Sequence, residues 1–317
     1  MQMISGEDVH RLLDYPSLVE ALKKAHRNPV YSAGEAILSE PADGDPKRAF
    51  ITLPAWQKDG LIGVKLVTVF PENPSGHPAR PANQGLYVCF DPTNGTPALV
   101  ADGTALTLRK TAADTALGID FLASPDARTL LVLGAGALAP HVMEAALAVR
   151  PGLERVLIWN RTMEKAERLA ASLSFGNATI AAAPDLANAL PIADIVVSAT
   201  MATEPLVRGA LLKPGSHVNL IGSWRPDMRE CDDDTIRRAE LYTDSRETCR
   251  DCGEFVQSIE KGLMAWDDIK ADLFDLCRDD AKSYLSGNGI TLFKNAGGAH
   301  LDLFTAQELL ARHVAGL

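Results

Sequence analysis

No part of this chain reaches the roughly 18 uninterrupted apolar residues that a bilayer-spanning helix needs, so no membrane partner is expected. Positive charge is in deficit: 31 Lys and Arg stand against 41 Asp and Glu, giving a formal net charge of −10. A chain so charged has no general attraction for polyanions. Nor does it carry a basic stripe with interleaved aromatics, so nucleic acid is not an expected partner. Cysteine is scarce. Cys89, Cys231, Cys249, Cys252 and Cys277 are odd in number and read as cytosolic thiols, not a disulfide frame. Cys249 and Cys252 have redox-motif spacing, but no second pair or histidine cluster accompanies them, and no metal is expected. The segment from Met1 to Asp8 lacks a basic head and an apolar stretch. No signal peptide is therefore expected, and the expected location is the cytoplasm. Internal repeats and low-complexity runs are also absent.

What the chain does have is length and core. Its 317 residues are 46% hydrophobic and 23% charged, enough for two domains. The most informative run, Arg128 to Ala139, is Arg-Thr-Leu-Leu-Val-Leu-Gly-Ala-Gly-Ala-Leu-Ala. It reads as strand, glycine turn and helix. Gly134 makes the turn, Gly136 lets the backbone approach a pyrophosphate, and Ala139 keeps the helix close to the sheet. A helix starting near Ala137, with Leu138 behind it, would point free N–H groups at phosphate. The second strand, from Val156, ends in Asn160, Arg161 and Thr162 where an NAD site would normally place an acid for the ribose diol. A guanidinium beside short polar groups suits a 2′-phosphate, so NADPH/NADP+ is the expected cofactor, with NADH accepted weakly. Ser198 and Thr200 end a later buried strand, Ser223 follows another, and Thr111 lies on a helix beside the expected cleft. These complete the candidate cofactor-binding set.

Along the chain, Ser5 with Asp8 forms a capping-box pattern, and Ser17 is the expected cap of an amphipathic helix running to His26. A polar loop from Pro41 to Lys47 leads into strands from Arg48, from Leu61 and from Gln84. Asp91-Pro-Thr-Asn-Gly-Thr96 predicts a hairpin. A long helix starting near Thr107 and stopped by Pro125 precedes alternating strands and helices of βαβ type. Acid-rich helical stretches are expected from Glu247 to Ser286, and a strand, glycine break and helix from Gly289 to Leu310.

The expected fold is α/β: a Rossmann-type NAD(P)-binding domain over residues 114–289, with a discontinuous strand-rich α+β substrate and dimerisation domain over 1–113 and 290–317. Several stretches carry a resemblance. They are Gly63-Val-Lys-Leu-Val-Thr-Val-Phe-Pro71, Asp91-Pro-Thr-Asn-Gly-Thr-Pro-Ala-Leu99, Leu108-Arg-Lys-Thr-Ala-Ala113, the glycine turn, Ile221-Gly-Ser-Trp-Arg-Pro-Asp-Met-Arg-Glu230 and Thr291-Leu-Phe-Lys-Asn-Ala-Gly297. With them the chain resembles the ornithine cyclodeaminase and mu-crystallin family. The resemblance implies a homodimer built through the strand-rich domain, an active site in the cleft between domains, and a C-terminal segment that rejoins the first domain.

A substrate carboxylate calls for a fixed guanidinium or ammonium. Arg48, Lys65 and Arg109 are the cationic candidates, and the resemblance implies that all three bind substrate. Lys110 adjoins Arg109, and one of the two is expected to face away, since neighbouring helix positions diverge by about 100°. Lys65 is also the candidate proton donor to an imine nitrogen. Ornithine cyclodeaminases carry an aspartate two residues after Gly222, where this chain has Trp224 and then Asp227. Tryptophan cannot accept a proton. The departure favours an NADPH-dependent ketimine reductase that forms L-proline or L-pipecolate from the cyclic imino acid, with Asp227 a second catalytic candidate. Ornithine cyclodeaminase, an alanine dehydrogenase-like enzyme and a non-catalytic nucleotide-dependent carrier remain open at this point.

Overall fold

The computed structural model describes residues 2–28, 30–39, 48–58, 60–278 and 289–317. The Pro41–Lys47 loop lies outside them, as do residues 279–288. Two units partition the chain: Met1–Lys110 with Gly298–Leu317, and Thr111–Gly297.

The first unit holds β1 (Gln2–Ile4), β2 (Val30–Ala33), β3 (Ala36–Ser39), β4 (Ala49–Gln57), β5 (Ile62–Val69), β6 (Asn83–Phe90) and β7 (Pro97–Asp102). They form one sheet in the order β1-β7-β6-β5-β4-β2, with β3 also paired to β4. Its central pairs are antiparallel. The β6–β7 hairpin turns where the sequence predicts it: Asp91 accepts from the Thr93 N–H at 2.8 Å, and Gly95 takes φ 74°. In α1 (Gly6–Leu12) Ser5 is the cap, accepting from the Asp8 N–H. In α2 (Tyr15–Ala25) the cap is Asp14, not Ser17: the Ser17 N–H, in the first turn and without an intrahelical acceptor, donates to the Asp14 carboxylate at 3.0 Å. The boundary between units falls inside α3 (Gly103–Leu122), which starts four residues before Thr107.

The second unit is built on β8 (Thr129–Leu133), β9 (Arg155–Trp159), β10 (Thr179–Ala182), β11 (Ile195–Ser198), β12 (His217–Leu220), β13 (Ala239–Thr243), β14 (Ile269–Asp272) and β15 (Ile290–Lys294). All pair in parallel, in the order β10-β9-β8-β11-β12-β15-β13-β14. Its helices are α4 (Ala139–Val149), α5 (Met163–Ser172), α6 (Leu186–Ala189), α7 (Asp233–Arg238), α8 (Gly253–Glu260) and α9 (Leu273–Leu276). The strands β8, β11, β12 and β15 are buried at every position, as a sheet covered on both faces requires. The chain leaves β8 toward β9 on one side and later returns to β11 on the other. That puts a topological switch at the carboxyl ends of β8 and β11, where α/β sheets bind ligands.

Two sequence expectations change here. The stretch from Glu247 contains a strand, β14, between the short helices α8 and α9, because Asp272 caps a new helix instead of continuing an old one. The strand β15, assigned from sequence to the returning segment, pairs with β12 and β13 in the second unit. Only α10 (Ala299–Val314) belongs to the first, where it packs on α2 and β4. No helix among the described residues is long and apolar enough to cross a membrane.

Candidate active site

At the switch point, Gly134 takes φ 106°, and a Cβ there would stand 2.6 Å from the Ala199 carbonyl oxygen. Only glycine satisfies both conditions. Around Gly136 the space is open: a Cβ would meet nothing within 4 Å. The helix α4 begins at Ala139, two residues later than expected, with Leu138 as a cap that makes no side-chain hydrogen bond and with Ala137 exposed before it. In front of the loop is a cavity of about 280 Å³, walled by Gly134, Gly136, Asn160, Arg161, Thr200 and neighbours. Thr111, Thr162, Ser198 and Ser223 are not in its wall. A bare glycine loop at a helix start, with open space before it, fits a dinucleotide pyrophosphate.

In the first unit, Lys65 on β5 points inward and donates to the Asp302 carboxylate of α10 at 3.3 Å, while Lys110 lies 3.7 Å from the other Asp302 oxygen. All three are buried. Burial lowers the Lys65 pKa, with Lys110 adding to the effect and Asp302 opposing it. Arg109 makes its contacts within the first unit. It is buried too, but its guanidinium stacks 4.6 Å from the Tyr15 ring centre, and its Nη2 donates to the His10 carbonyl at 2.9 Å. Neither neighbour faces solvent, because α3 is enclosed on several sides; it is Lys110 that joins Lys65. Arg48 is exposed, paired with Glu72 at 2.5 Å and set against the Phe70 ring.

Asp227 belongs to the second unit. It is exposed and bound bidentately by Arg225 at 2.9 Å, and those hydrogen bonds hold its carboxyl below the ordinary range. An ionised carboxylate neutralised by its own arginine is a poor proton donor. Trp224 is 54% exposed under the Arg225 guanidinium.

Sequence reasoning missed Asp302, although an acid inside the apolar run Ala299-His-Leu-Asp-Leu-Phe304 was a signal. It also missed a buried ionic group in the second unit: Glu230, Glu254, Asp244 and Lys294. Lys294 donates to the carbonyls of Leu220, Gly222 and Asn295. Burial opposes its charge, yet Cys252, Glu254 and Glu230 outweigh that and raise its pKa. Burial pushes Glu254 up to about 7 and raises Glu230 as well. Among the described residues no group of three or more His, Cys, Asp or Glu is placed to hold a metal ion.

A parallel switch-point sheet with a glycine loop, in a chain whose other unit carries a buried lysine pair, defines a dinucleotide-dependent oxidoreductase. The model of the ornithine cyclodeaminase/mu-crystallin family matches residues 4–315, and the chain belongs to that family. It is 41% identical over 318 residues to a Δ1-pyrroline-2-carboxylate reductase of Paracoccus denitrificans, covering 99% of this chain and 98% of the relative. It is 35% identical over 263 residues to the ketimine reductase mu-crystallin of Rattus norvegicus, covering 82% of this chain and 79% of the relative. Among solved structures, the Δ1-pyrroline-2-carboxylate reductase of Thermococcus litoralis in complex with NADH and L-proline superposes with a TM-score of 0.89 at 25% identity. That match covers 100% of this chain and 98% of the other.

The expectation of NADPH is overturned, since the Thermococcus relative carries NADH. At the strand end Arg161 is exposed in the wall of the cavity and makes no hydrogen bond or ion pair among the described residues. The Asn160 side chain is spent on the loop, accepting from the Ala135 N–H and donating to the Thr162 carbonyl.

Proposed function

We propose that this protein is an NADH-dependent reductase of small cyclic ketimine carboxylates, converting Δ1-pyrroline-2-carboxylate to L-proline, with the six-membered homologue as a second substrate. The observation that carries this reading is the 41% identity, along 99% of the chain, to the Paracoccus reductase. The glycine loop, its cavity and the buried lysine pair support it.

Reduction of the C=N bond adds hydride at carbon and a proton at nitrogen. NADH, when bound, supplies the hydride; Gly134, Gly136, Asn160 and Thr200 would hold it. Lys65 and Lys110 together carry two positive charges against the single negative charge of Asp302, leaving an excess that a substrate carboxylate neutralises. Lys110 holds the carboxylate, and Lys65 donates the proton to the imine nitrogen. A lysine with its pKa lowered by burial gives up a proton more readily than a solvated one. Asp302 keeps the two ammonium groups together. Arg109 braces α3 against Tyr15, and Arg48, tied to Glu72, is outside this assignment.

We further propose that the protein is a homodimer. The face of the first sheet turned away from α10 carries Phe50, Trp56 and Leu86 exposed, with Val64, Leu66, Val88 and Phe90 half-buried. A contiguous apolar face of this kind suits a second copy of the chain.

The test is NADH oxidation with both imines, by the wild type and by two variants. Lys110→Met is expected to lower kcat/KM about tenfold or more, the loss of a desolvated charge pair costing about 2–5 kcal/mol, and to leave NADH affinity unchanged. Arg109→Ala is expected to lower Tm and leave the KM for the imine near the wild-type value. Turnover of neither imine, beside ammonia release from L-ornithine, would overturn the reading in favour of a cyclodeaminase.

A further inference from the structure

Glu230 closes the loop that begins at Gly222, and its side chain is fully buried. One carboxylate oxygen accepts from the Ser198 hydroxyl at 2.6 Å, the Thr200 N–H at 2.8 Å and the Thr200 hydroxyl at 2.7 Å. The other accepts from the Gly222 N–H at 2.7 Å. Ser198 ends β11, and Gly222 lies two residues beyond β12. A single carboxylate therefore ties the carboxyl ends of two neighbouring parallel strands.

On the β11 side the tie reaches the dinucleotide cavity. Thr200 lines it, and the carbonyl of the adjacent Ala199 packs against Gly134, where no side chain fits. On the β12 side the tie ends beside Ser223, which holds φ 53°, a left-handed backbone at a residue other than glycine. Its carbonyl accepts from the Gly253 N–H at 3.1 Å, while its hydroxyl is buried and has no hydrogen-bond partner among the described residues. Such a conformation persists only where the surroundings over-determine it, and it clusters at ligand clamps.

We propose that Glu230 is a positioning residue of the cofactor site. Through Thr200 and Gly222 its carboxylate fixes the two strand ends that border the dinucleotide. This inference rests on the NADH-dependent reading above. The chemistry requires a carboxylate: four donors converge on it, and an amide would turn its own NH₂ toward either the Gly222 N–H or the Ser198 and Thr200 donors.

The experiment measures NADH affinity by fluorescence without substrate, then steady-state kinetics, for wild type, Glu230→Gln, Thr200→Val and Ser198→Ala. Glu230→Gln is expected to raise the NADH Kd about tenfold or more, while the KM for the imine stays within about twofold because Lys65 and Lys110 are untouched. Thr200→Val and Ser198→Ala each remove one of the four donors and are expected to raise the Kd about threefold. A purely structural role would lower Tm while the folded fraction still bound NADH as the wild type does, and that result would overturn the proposal. If Glu230→Gln does not fold, unchanged NADH affinity in Thr200→Val and Ser198→Ala overturns it equally. A wild type that binds no NADH would instead remove the reading on which the proposal stands.

Discussion

Glu254 accepts from the backbone N–H groups of Glu230 and Cys231 with one oxygen, while the other has no hydrogen-bond partner among the described residues. Burial lifts its pKa from 4.5 to about 7. The folded state therefore keeps a proton that the unfolded chain releases. The associated stability is fully present below pH 4.5 and is lost as pH rises through about 7. A rise of that size is worth on the order of 3 kcal/mol. Glu254→Gln preserves the accepting oxygen and never charges. Its Tm is expected to match the wild type near pH 5 and to exceed it by several degrees near pH 8. Thermal melts across that range check this, and a gap that does not change with pH would rule out Glu254 as the titrating group. Residues of this kind were hard to read in the sequence. Lys65 and Asp302 are 237 positions apart, so their pairing depends on the chain's return, which no local spacing encodes. The expectation that Arg109 or Lys110 faces away failed because helical periodicity assumes a solvent side, which enclosed α3 lacks there.

At the scale of the element, the glycine loop makes a sharper contrast. Gly134→Ala drives a Cβ toward the Ala199 carbonyl at positive φ and is expected to cost stability as well as NADH binding. Gly136→Ala meets nothing in the protein. It is expected to leave Tm within a degree or two and to weaken NADH about tenfold or more, because the methyl enters the space for the pyrophosphate. Equal NADH affinity in Gly136→Ala and wild type, by the same titration, would move the phosphate elsewhere. This element was legible because strand, turn and helix are all local in sequence. The β6–β7 hairpin was legible for the same reason. The strand β14 was not: the four residues Ile269–Asp272, directly after Asp267 and Asp268, look helical until the pairing with β13 is known.

For the whole molecule, the apolar face of the first sheet gives the prediction. Leu86 is 41% exposed at its centre. Leu86→Glu is expected to shift the particle in light scattering from the mass of two chains to that of one, with little loss of secondary structure. A wild type that already runs as one chain would remove the dimer. The two-unit division was legible in the sequence; the place where the chain crosses back was not, because β15 looks the same whichever sheet receives it.

The position of β15 also governs how the protein can be made. It lies between β12 and β13, so β13 and β14 are joined to the rest of their sheet only through a strand made after both. A ribosome delivers residues N-terminal first, at about 5–20 per second. Until Lys294 has emerged, the growing chain presents β12 as an unpaired edge and β13–β14 as a detached pair, both open to wrong partners. A chain terminated before Ile290 would have its sheet cut in two, with the strands on either side of the gap left for degradation.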